Sequence, residues 1–171
     1  WADPLRQANS CLSALLFDQR PDDTLTAPKD LLYEAVKVGL AQPDGYGRGN
    51  LARFLNKLTL EQVQTLAPNI VEAAKEPPPA DRMFGYDIPL YAIQTLAKFK
   101  SEEGIPLAVR IADKYLLYNG LGQQICGQAL DVLSNSYRTS AKDALPALYA
   151  MQKWEPGNPS LAGAIYSLTT L

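Results

Sequence analysis

Apolar side chains recur along this chain at helical intervals: Leu12, Leu15 and Leu16; Leu51, Phe54, Leu55 and Leu58; Leu90, Ile93, Leu96 and Ala97. No segment alternates with the two-residue period of a strand, so the pattern predicts an all-α protein. Amphipathic stretches at residues 4–17, 50–58, 88–99, 122–134 and 159–170 are followed, all but the last, by a second stretch opened by a proline. Those prolines are Pro28, Pro68, Pro106 and Pro146, separated by 40, 38 and 40 residues, and they lead the phrases PKDLLYEAVK, PNIVEAAK, PLAVRIADK and PALYAMQK. A fixed period near 40 marks stacked two-helix units, because one such pair cannot bury its apolar face alone. The expected architecture is an α-α superhelix, or solenoid, of about four two-helix repeats plus one extra helix. The pairs fall at about 3–40, 46–76, 87–115 and 122–153, with the final helix at 159–170, all in a single domain spanning 1–171.

Local signals fit that division. Asp3-Pro4 and Asn158-Pro159 each place a capping acceptor before a proline, which has no backbone donor to lose, and Asp87-Ile88-Pro89 is a close variant. Thr59 with Gln62, and Ser140 with Asp143, have capping-box spacing. Because both boxes precede their prolines by several residues, Pro68 and Pro146 either bend a helix in its second turn or open it. The third residue after each proline (Leu31, Val71, Val109, Tyr149) and the fifth (Tyr33, Ala73, Ile111, Met151) stay apolar, as a shared core requires. A lysine closes each phrase (Lys37, Lys75, Lys114, Lys153), where a helix C-terminus favours positive charge.

The phrase SAKDALPALYAM resembles the proline-containing second helix of HEAT repeats, and LAPNIVEAA is a weaker copy. The stretch from Arg82 to Trp154, centred on MFGYDIPLYAIQTLAKFKSEEGIPLAVRIAD, is similar to HEAT-like helical domains of large bacterial proteins of uncharacterised function. The Asp and Arg that many HEAT repeats carry at fixed places are not consistently filled here. The resemblance implies a scaffold or binding surface without inherited catalytic residues, in proteins that are often exported or periplasmic and carry other modules.

Composition narrows the function classes. Sixteen basic and eighteen acidic residues are well mixed, for a net charge of −2, and no basic face is available to displace the counterions of a nucleic acid. No apolar run is long enough to span a membrane. The chain starts at Trp1 within a helical pattern and ends on the apolar tail Ile165-Tyr166-Ser167-Leu168. We therefore expect it to be a processed or excised piece, with further repeats or another domain after Leu171. Cys11 and Cys126 both fall inside apolar helical patterns and read as small packed hydrophobes.

The chain contains no histidine, which removes imidazole-dependent triads and the usual zinc sites. No cofactor or metal is expected. The adjacent acids Asp22-Asp23 and Glu102-Glu103 lie in connecting segments, where solvation is the ordinary state. QPDGYGRGN (42–50) is glycine-rich before a helix but lacks the preceding strand and the Gly-Lys-Ser/Thr of a phosphate loop. EPPPAD (76–81) reads as a semi-rigid spacer.

The connections between repeats all carry aromatic rings: Tyr46; Phe84 and Tyr86; Tyr115 and Tyr118; Trp154, with Arg48 and Arg82 beside them. Equivalent loops of a solenoid emerge along one edge, and aromatic and arginine side chains dominate binding hot spots. The expected function is thus a non-catalytic scaffold that binds a protein or peptide on its concave face or loop edge, with Tyr46, Arg48, Phe84, Tyr86, Tyr118 and Trp154 as candidate contacts. The alternative is the helical part of a carbohydrate-processing or carbohydrate-binding protein, in which the same rings stack on a glycan. Nucleic acid and membrane insertion are not expected.

Overall fold

The computed structural model describes residues 29–41, 52–75 and 87–170. Its helices are α1 (Lys29–Leu40), α2 (Leu60–Lys75), α3 (Asp87–Lys98), α4 (Gly104–Tyr115), α5 (Leu121–Asp131), α6 (Leu145–Trp154) and α7 (Pro159–Thr169). Short 3-10 turns occupy Leu55–Lys57 and Ala141–Ala144, and a π turn, Val132–Ser136, extends α5. No strand occurs among the described residues, so the all-α expectation holds.

The helix starts follow the caps only in part. At Thr59 the box closes: its hydroxyl accepts from the Gln62 amide at 3.3 Å, and Gln62 Oε1 accepts from the Thr59 N–H at 3.0 Å. Asn158 Oδ1 likewise accepts from the Leu161 N–H at 3.1 Å and starts α7. The Ser140–Asp143 box does not form; the Ser140 hydroxyl points back to the Tyr137 carbonyl, and a 3-10 turn follows. Of the helix expected at 50–58, residues 52–58 are described: Ala52 is α-helical, a turn follows, and Leu55–Lys57 forms a 3-10 turn. The Thr59 box then starts α2 directly after this turn.

The prolines are not equivalent. Pro68 lies in the interior of α2, Pro106 in the first turn of α4, and Pro146 at the start of α6 after the second 3-10 turn; Pro28 is outside the described residues. The fifth-position residues Ala73, Ile111 and Met151 are buried, but Tyr149, at a third position, is exposed and outside the core.

Packing follows chain order. α1 meets α2, α2 meets α3, α3 meets α4, α4 meets α5 and α6 meets α7. Beyond these, α2 touches α4 and α4 touches α6, while α3 touches α5 and α5 touches α7. One row of helices (α3, α5, α7) thus lies against another (α2, α4, α6). The core between them includes Leu66, Ile70, Ile93, Leu96, Leu107, Ile111, Leu130, Leu133 and Leu148.

Polar ties join helices that are distant in sequence. Lys98 Nζ donates to the Asn56 carbonyl at 2.8 Å, Lys114 Nζ to the Lys75 carbonyl at 3.3 Å, and Lys100 Nζ to the Ser136 carbonyl. Lys100 (φ 56°) ends α3 in the left-handed conformation, with its N–H on the Ala97 carbonyl and the Ser101 N–H on the Leu96 carbonyl.

Thr95 is wholly buried, and its hydroxyl finds no partner among the described residues. Thr95→Val keeps the shape and removes the desolvated hydroxyl, so it should raise unfolding stability by about 1 kcal/mol in urea titrations. A loss of stability would show that the hydroxyl is satisfied in solution.

Candidate binding groove

The helices of the first row present one register of side chains to a common hollow. α3 contributes Asp87, Leu90 and Gln94; α5 contributes Leu121, Gln124 and Gln128; α7 contributes Ser160, Gly163 and Ser167. Each trio has the spacing i, i+3, i+7, which keeps all three on one helix face. Together with Arg53, Asp131, Ser134 and Asn135 they line a groove of about 1000 Å³.

Most of the groove's lining surface is apolar, and its polar groups are chiefly carboxamides and hydroxyls beside Arg53, Asp87 and Asp131. Gln94, Gln124, Gln128 and Asn135 are exposed. At the α3 end, Arg53 donates through Nε and Nη2 to Asp87 Oδ2 at 3.1 and 2.9 Å, tying the 3-10 segment to the start of α3. At the far end of α5 the π turn carries Ser134 and Asn135 to the groove. Asn135 Nδ2 donates to Asp131 Oδ1 at 2.6 Å, and the Ser134 carbonyl accepts from the Ser167 hydroxyl at 3.0 Å. A π turn opens the i→i−4 ladder, and such turns are frequent at functional sites.

Two glycines keep the hollow open. A Cβ added at Gly127 or Gly163 would meet nothing within 4 Å, so packing does not require glycine at either place. A glycine inside a helix costs about 1 kcal/mol relative to alanine. Gly127→Ala and Gly163→Ala should each raise the thermal unfolding midpoint by the equivalent of about 0.5–1 kcal/mol. A drop in the midpoint would reveal a packing role.

Of the residues picked out as a binding edge, Tyr118 and Trp154 are described; Tyr46, Arg48, Phe84 and Tyr86 lie outside the described residues, as do the segments 42–50 and 76–81. Trp154 is 80% exposed at the end of α6. Tyr118 is 51% exposed, stacks edge-on against Tyr115 with ring centroids 5.3 Å apart, and lies over the site where a Gly122 Cβ would be. It lines a 270 Å³ hollow shared by the loop after α4 and the loop after α6, including Asn119, Glu155 and Gly157. Those two loops therefore emerge side by side, although the Trp154 ring does not line that hollow.

The groove residues went unread in the sequence because polar positions on an amphipathic helix look like an ordinary solvated face. Two signals were present: helical glycines at 127 and 163, and glutamines at 94 and 128, 34 residues apart in the same helix position.

Of the two pairs of adjacent acids, Asp22-Asp23 lies outside the described residues. Glu102 and Glu103 are exposed between α3 and α4, and the Ser101 hydroxyl and the Glu103 backbone N–H hold the Glu103 carboxyl below the usual carboxylate range. A general acid needs the opposite shift. Among the described residues no group of three or more Cys, Asp or Glu side chains is placed to hold a metal ion. Nor is any described helix long and apolar enough to cross a membrane. No protein-family model, curated protein or solved structure matches the chain.

Proposed function

We propose that this chain is a non-catalytic, HEAT-like helical-repeat module that takes a protein or peptide segment in the groove across α3, α5 and α7. The observation that carries the reading is the groove itself: three helices offer the same face, and the two glycines that hold it open serve no packing need. The next-but-one packing of helices supports a repeat array, a class of module that binds extended partners along a continuous row of helices. A glycan reading draws on stacking by aromatic rings. None lines the groove among the described residues, and Tyr118 and Trp154 project at the loop edge instead.

The test is selection of binders from a randomised decapeptide library against the whole chain. Selected peptides should lose at least tenfold affinity for a Gly127→Trp/Gly163→Trp variant whose circular dichroism matches the parent. They should change less than threefold with Tyr118→Ala/Trp154→Ala. The reverse order of effects would move the site to the loop edge. Neutral oligosaccharides that displace groove amide resonances, where peptides do not, would replace the peptide reading with the glycan one.

A further inference from the structure

We propose that the groove reads its ligand as an extended polypeptide backbone and places a lysine or arginine of that ligand against Asp131. This inference rests on the groove being the binding site, and it adds the class of segment bound. A carboxamide carries the same donor and acceptor as a peptide group, so it can pair with a main chain whatever its side chains. Gln94 on α3 and Gln124 and Gln128 on α5 offer three such groups, and among the described residues none of these side chains is engaged in a hydrogen bond. Only an extended segment has main-chain N–H and C=O groups left to pair. A helical ligand has satisfied its own and would offer the three carboxamides no main-chain partner. Leu90, Leu121 and Ile125 share the same lining and can receive individual side chains of such an extended segment.

Charge selects the side chain. Asp87 is neutralised by Arg53 at 2.9 Å. Asp131 is exposed, accepts only the neutral Asn135 amide, and has no cation paired with it among the described residues. Among the described residues the groove thus carries one uncompensated negative charge, close to the carboxamides. It repels phosphates and carboxylates and favours a cationic side chain, which could donate charge-assisted hydrogen bonds to that carboxylate.

The probe is the same randomised decapeptide library, panned against the parent chain and against Asp131→Arg, with Gly127→Trp/Gly163→Trp as the counter-selection. Parent-selected peptides should share Lys or Arg at one fixed position, and Asp131→Arg should switch that position to Asp or Glu. N-methylation of the main chain at successive positions of one selected peptide should weaken binding at least tenfold at two or more of them. Peptides that need the open groove, yet show no basic position and tolerate N-methylation throughout, would overturn this inference and leave the groove as a binding site. Peptides that bind the filled variant equally well would overturn the binding site itself. Asp131→Arg lies on the exposed face of α5, and an Asp131→Asn variant, which should lose the Lys/Arg preference without gaining an acidic one, checks the result independently.

Discussion

Replacing Gly104 with alanine is expected to lower unfolding stability by about 3 kcal/mol, the upper part of the range for forcing an extra methyl into a packed interior. Gly104 opens α4 directly beneath the ring of Tyr137. A Cβ there would stand 2.0 Å from the phenolic oxygen and 2.8 Å from Cζ, with Leu96 Cβ at 3.1 Å behind it. The ring cannot swing aside cheaply. Tyr137 is 2% exposed, and its hydroxyl donates at 2.7 Å to the carbonyl of Ser101, at the entry to the same helix. Any retreat of the ring breaks that bond, and any retreat of the helix disturbs the packing of α4 against α5. Urea titration of Gly104→Ala gives the magnitude, and a double-mutant cycle assigns the cause. Tyr137→Phe alone should cost about 1 kcal/mol for the lost hydrogen bond. Because it also removes the closest clash, the double variant should be clearly more stable than the sum of the two losses. Strict additivity would mean that the glycine is needed for some reason other than the tyrosine above it.

That pair also shows where reading the chain reaches its limit. Periodicity found the helices because burial on one face leaves a one-dimensional trace, and Thr59 and Asn158 marked their starts because caps act within three or four residues. The contact between Gly104 and Tyr137 leaves no such trace: it joins residues more than thirty apart, brought together by the packing of α4 against the turns that follow α5. The same holds for the groove. Gln94, Gln124 and Gln128 each occupy a polar position that a solvated helix face would also fill, and only the alignment of three helices turns them into a lining. The period in proline spacing overstated local likeness, since Pro68 interrupts the interior of a helix while Pro106 and Pro146 sit near helix starts. The aromatic loops were legible as a pattern, yet Tyr118 spends part of its surface on Tyr115 and the backbone at Gly122, so its ring serves the fold as well as any partner.

The fold should weaken as the solution becomes alkaline, from about pH 9 upward, with Cys126 responsible for roughly 3 kcal/mol by pH 11 and beyond. Its thiol is buried in α5, and its Sγ lies 3.5 Å from the Ala112 carbonyl. Loss of hydration disfavours the thiolate and pushes the pKa up to about 11 from an ordinary value near 9. Between those values the unfolded chain releases its proton while the native chain keeps it. The native state then binds more protons, and stability falls with rising pH. Below pH 9 both forms are protonated and this group contributes no slope. Tyr137 acts in the same direction at higher pH, because burial and the nearby Glu103 charge raise its phenol above the usual range. Lys114 opposes them: burial and Arg110 lower its pKa, so the native chain loses that proton first and stability gains as pH rises toward 10.5. Comparing the parent with Cys126→Ala separates these contributions, since both chains share the tyrosine and the lysine. The stability difference between them, read from urea midpoints at pH 7, 9, 10 and 11, should stay constant up to pH 9 and then shift in favour of the variant. A difference that stays level through pH 11 would mean that water reaches the thiol, and that the seam between α4 and α5 is looser than its buried side chains imply.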